Sequence, residues 1–132
     1  MKLQDKLTEI LGIEGFRVGD VVENLDSNLL VLYNLANQTM FCMADIDDNY
    51  LESAWYKKDD LKLISRDFTL SEVLMAFQIV RKFHTTLQIT NKGYLEYWGM
   101  DDIIWQKDWD LTKTLFQQSK ETITAIEKIM GG

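Results

Sequence analysis

From Phe16 to Ile64 the apolar residues come only in runs of strand length, separated by turn-forming residues. The longest are Leu29–Tyr33 and Met40–Ala44. Neither approaches the roughly 20 residues that a membrane-spanning helix needs. Short β-rich runs of this kind bury their side chains by pairing as antiparallel neighbours that curl over one face. The pattern predicts strands over Phe16–Glu23, Leu29–Leu35 and Thr39–Ala44, with Ala36–Gln38 as a hairpin turn. Ala54–Tyr56 and Leu61–Ile64 read as two further short strands around the Lys57–Asp60 turn. Asp45–Glu52 reads as an acidic loop.

Helical spacing brackets this segment. Leu3, Leu7, Ile10 and Leu11 predict a first helix that stops at Gly12. Thr69 and Glu72 form a capping box, in which hydroxyl and carboxylate satisfy free amides of the first turn. Leu70, Val73, Leu74, Phe77 and Val80 then line one side of a second helix. Thr114 and Gln117 make another such pair, which predicts a last helix from about Thr114 to Met130. Between these helices Leu87–Ile89, Tyr94–Trp98 and Ile103–Trp105 read as strands, with Asn91–Gly93 as a turn.

The expected fold class is therefore α+β: a small antiparallel, curled β-sheet in the N-terminal half, packed with about three α-helices. The chain has 132 residues, the usual size of one domain, and contains no proline that would stiffen a linker. A boundary near Ser65–Phe68 would leave two halves of marginal size, so residues 1–132 are expected to form a single domain.

Catalytic chemistry finds little support. The one histidine, His84, follows Arg81 and Lys82 at a helix end, with no nucleophile motif beside it. The one cysteine, Cys42, stands among Met40, Phe41 and Met43, without a cation to favour its thiolate. A lone cysteine fits a reducing compartment, and Met1–Leu11 alternates charged and apolar residues unlike a signal peptide. Gly12, Gly15 and Gly19 match no phosphate-binding loop. Asp45, Asp47 and Asn49 alternate like calcium ligands, but Tyr50 stands where such a loop needs glycine. The pairs Asp101–Asp102 and Asp108–Asp110 lie among tryptophans, as in some glycosidases, without the chain length those enzymes usually have. No enzyme activity, metal or cofactor is expected.

Charge is distributed more informatively. The net charge is −7, which disfavours direct nucleic-acid or anionic-membrane binding. Between Glu14 and Glu52 there are eight acids and one base, Arg17, so that stretch accounts for all of it. This predicts an acidic face made of Asp45, Asp47, Asp48 and Glu52, supported by Asp20, Glu23 and Asp26. A second candidate surface is aromatic. Tyr94–Trp109 is rich in tyrosine and tryptophan, which suit both cores and interfaces, and Trp98 and Trp105 are its candidate contacts.

The closing stretch Trp109-Asp110-Leu111-Thr112-Lys113-Thr114-Leu115, with Gln118-Ser119 and Glu121-Thr122-Ile123, resembles the tail of small conserved proteins of phages and prophages of Gram-positive bacteria. Thr69–Leu74 and Phe16–Val22 are similar to two further blocks of that family. The family carries no assigned chemistry, and the tail also has a purely structural reading as a helix entry. The resemblance implies an accessory protein acting in the host cytoplasm. Joined to the acidic face, it suggests stoichiometric binding of a host or phage protein, one with a basic nucleic-acid channel, as in anti-CRISPR proteins and other nuclease inhibitors. The alternative expectation is a phage structural or assembly protein that self-associates through the aromatic segment.

Overall fold

Gly12 ends the first helix as expected. Its backbone is left-handed (φ 67°) and its N–H bonds back to the Thr8 and Glu9 carbonyls, closing α1 (Leu3–Leu11). The structure is a computed structural model that describes residues 2–25, 27–34, 40–45, 50–80, 85–99 and 102–131. Within it the chain forms two compact units, Ile13–Asp67 and Met1–Gly12 with Phe68–Gly132. The first change of unit lies just past Gly12, and the second falls within the Ser65–Phe68 boundary region. The fold class is α+β, with three α-helices and antiparallel sheets among the described residues.

The first unit is a five-stranded sheet: β1 (Val21–Asn24), β2 (Ser27–Asn34), β3 (Met40–Asp45), β4 (Tyr50–Lys57) and β5 (Lys62–Ser65), in the order β4-β3-β2-β1-β5. A 3-10 turn over Lys58–Asp60 leads into β5, which returns to pair with β1. Val22 lies opposite Leu29 on one side and Leu63 on the other. Val22, Leu29 and Val31 are buried, and Phe16, Tyr56, Leu61 and Leu63 pack against them. Period-two alternation in β2 puts Leu29 and Val31 inside, a choice that the unbroken apolar run Leu29–Tyr33 leaves open.

Two strand expectations change. Phe16–Asp20 is not a strand. Asp20 N–H bonds to the Arg17 carbonyl across a turn at Gly19 (φ 96°), so β1 starts only at Val21. Part of the expected acidic loop is strand, because Asp45 is the last residue of β3 and Tyr50–Glu52 opens β4, while residues 46–49 lie outside the described residues.

The second unit holds α1, α2 (Leu70–Val80), a three-stranded sheet and α3 (Lys120–Ile129). Its strands β6 (Thr85–Ile89), β7 (Tyr94–Gly99) and β8 (Asp102–Asp108) form an antiparallel meander with β8 at one edge. The Thr69–Glu72 capping box is present: Glu72 N–H donates to Thr69 Oγ1 (3.3 Å) and Thr69 N–H to Glu72 Oε1 (2.9 Å). α2 buries Val73, Ala76 and Phe77. The Phe77 ring meets Tyr97 of β7 edge-on, centroids 5.5 Å apart. No described helix is long and apolar enough to cross a membrane.

The last helix starts later than expected. The Thr114–Gln117 capping box exists, but it opens only a 3-10 turn, Leu115–Gln117. α3 begins at Lys120, with Ser119 as its N-cap accepting the Thr122 N–H.

Candidate binding surfaces

The expected acidic face loses one member. Asp20 is 1% exposed and pairs with Arg66, itself 2% exposed. Arg66 Nε and Nη2 donate to the two carboxylate oxygens at 3.0 and 2.8 Å, and the Arg17 N–H donates to Oδ2 at 2.9 Å. Arg66 Nη2 also reaches the Gly15 carbonyl (2.7 Å). A buried guanidinium needs a counter-charge of matching geometry, and Asp20 supplies it. Asp20 is thus a structural residue rather than a surface contact.

The other acids fall as follows. Glu23 is half-buried in β1, in register with Lys62 of β5. Asp45 and Glu52 lie in β3 and β4. Asp26, Asp47 and Asp48 lie outside the described residues, as do His84 and Asp101. The five-stranded unit carries 11 acidic and 5 basic side chains, a net −6. The helical unit has 10 and 9, a net −1.

An aromatic pair on the acidic unit stands outside the candidates drawn from sequence. Tyr33 and Trp55 are 55% and 46% exposed, and their rings meet edge-on at 6.1 Å and 90°. They lie in register across the sheet, each opposite Cys42 of the intervening β3. Simple alternation from Leu29 and Val31 would send Tyr33 into the core. Instead the β2–β3 register slips between Val31 and Tyr33, so that Leu32 has no partner. This bulge turns both Leu32 and Tyr33 outward, as bulges do when they re-aim a side chain.

The tryptophans expected to form an interface behave differently. Trp98 is half-buried, and its indole N–H has no acceptor among the described residues. Trp105 lines a groove of about 670 Å³ between β8 and α3. Ile104, Ala125 and Ile129 give that groove apolar surface, while Lys107, Lys120 and Lys128 place cations in its lining. Glu121 is its one acid, 3.5 Å from Lys107 Nζ. A polar cleft of about 290 Å³ adjoins it and shares Lys107 and Glu121.

The residues that carry the tail resemblance hold the approach to α3. Trp109 is buried at 3% exposure. Asp110 accepts the Thr112 hydroxyl (2.7 Å) and N–H (3.0 Å), which holds its carboxyl below the ordinary range with help from Lys113. The Gln118 amide donates to the Asp110 and Lys113 carbonyls (3.0 and 3.2 Å) and accepts the Asp110 N–H (3.2 Å). These hydrogen bonds support a folding role for the motif.

Among the described residues no group of three or more His, Cys, Asp or Glu side chains is placed to hold a metal ion. No protein-family model, curated protein or solved structure matches this chain.

Proposed function

We propose that this protein works by stoichiometric binding, with its five-stranded unit occupying a basic surface of a protein partner. The carrying observation is the exposed Tyr33–Trp55 pair on the unit that holds nearly all the negative charge. Tyrosine and tryptophan dominate interface hot spots. Their ring faces also attract lysine and arginine, by about 0.5–1 kcal/mol at exposed sites. The excess of acids on the same unit steers a basic partner and favours it over an acidic one. The resemblance of the tail to phage and prophage proteins suggests the setting: a host protein whose basic channel ordinarily holds nucleic acid, the anti-CRISPR type of role included.

The test is capture from a Gram-positive bacterial lysate, with elution by duplex DNA. Wild-type protein retains a protein that DNA releases. The Tyr33→Ala/Trp55→Ala variant and the Asp45→Lys/Glu52→Lys variant each lose it. Retention of the same proteins by all three sinks the proposal.

A further inference from the structure

The geometry points to a second binding site: the groove between β8 and α3 takes a short extended peptide carrying two acidic side chains four residues apart, added as a strand to the edge of β8. β8 is the edge strand of its sheet, so half of its backbone groups face away from β7. One end of that edge is closed, since the Thr122 hydroxyl donates to the Asp108 carbonyl (3.4 Å). Ile104, Trp105 and Lys107 of the same strand line the groove.

The side chains there are shaped for a partner. Tyr97 pairs with Trp105 and Trp98 with Ile103, leaving Ile104 unpaired as a bulge. Ile104 and Trp105, though adjacent in sequence, both line the groove. Ile103 and Ile104 are 46% and 60% exposed, an unusual outlay of aliphatic surface on one edge strand. A strand beside them covers apolar surface and satisfies backbone groups together, the β-addition mode of peptide recognition.

Charge selects the peptide. The groove lining holds three lysines and one glutamate, on a chain of net charge −7. Lys107 is paired with Glu121, whereas Lys120 and Lys128 have no ion pair among the described residues. These two lysines are eight residues apart on α3, about 12 Å at a rise of roughly 1.5 Å per residue. Two side chains four residues apart on a strand lie on one side of it, about 13 Å apart. The two spacings match. The site lies within the helical unit and is independent of the acidic surface proposed above.

A blocked nine-residue peptide tests this, with valine at even positions, glutamate at the third and seventh, and threonine elsewhere. Titration followed by amide NMR should shift β8 and α3 signals. A lysine-for-glutamate peptide should bind at least tenfold more weakly, as should the glutamate peptide to Lys120→Gln/Lys128→Gln protein with an unchanged melting temperature. Of two peptides N-methylated at alternate nitrogens in opposite phase, one should lose binding, because only one phase blocks the edge that pairs. Equal binding of both methylated forms, equal binding of the lysine peptide, or shifts confined to other elements overturns the proposal. So does light scattering that shows the wild-type protein already dimeric through this edge, with Ile104→Lys restoring the monomer.

Discussion

Arg66 and Asp20, 46 residues apart in the chain, form a two-pronged ion pair with both side chains almost wholly buried. The pair ties the segment before β1 to the residue that follows β5. Removing one partner leaves a buried charge without its counter-ion, which typically costs about 3–5 kcal/mol. Asp20→Ala and Arg66→Ala should each lower stability by about that much in urea unfolding. Asp20→Ala/Arg66→Met should cost well below the sum of the two single changes. Additive losses would show that the two groups do not act as a pair.

Leu25 occupies a position that suits another residue. It directly follows the end of β1, with φ at 55° and 86% exposure. A left-handed backbone costs a residue with a branched side chain roughly 1–2 kcal/mol, while asparagine and glycine adopt it readily. Exposure means that little packing is lost on replacement. Leu25→Asn should therefore raise unfolding stability by about 1 kcal/mol. A loss would mean that the leucine side chain makes a stabilising contact of its own.

Asp110 should show its environment in a titration. The Thr112 hydroxyl, the Thr112 N–H and Lys113 all favour its ionised form, so its carboxyl titrates below the ordinary 3.8. A depressed folded value means that this group adds stability above the unfolded value and loses it as pH falls through the folded one. The window therefore lies at and below about pH 4. Carboxyl NMR should place the Asp110 midpoint below those of unpaired aspartates. Thr112→Ala should move it back toward 3.8.

Gly99 is held by a neighbour rather than by its backbone. A methyl group there would lie 2.5 Å from Ile104 Cδ1 and 3.2 Å from its Cγ1. That contact is the end of a flexible, 60% exposed side chain, which can rotate away. Gly99→Ala should therefore cost only about 0.5–1.5 kcal/mol, the scale of one unfavourable rotamer. Gly99→Ala on an Ile104→Ala background should cost less still. A large loss in both backgrounds would place the constraint in the backbone.

Local patterns were legible in the sequence because their causes are local. Thr69 and Glu72 are three residues apart and cap a helix by themselves, Gly12 stops one, and the apolar run Leu29–Tyr33 marks a strand. The α+β class follows from these signals. The start of α3 was not legible, because the Thr114–Gln117 box closes a single 3-10 turn and Ser119 restarts the helix after it. Asp20 looked like one acid among several, since nothing near it in sequence announces Arg66. The outward Tyr33 was not legible either, since the slip that leaves Leu32 unpaired arises in the pairing of β2 with β3. The groove depends on the edge position of β8 and on where α3 lies. Sequence alone determined most of the helices and strands, though not all their bounds, and how charge is shared along the chain. Tertiary pairing decided which acid is buried and which aromatics face outward, because burial and register depend on residues far apart in the chain.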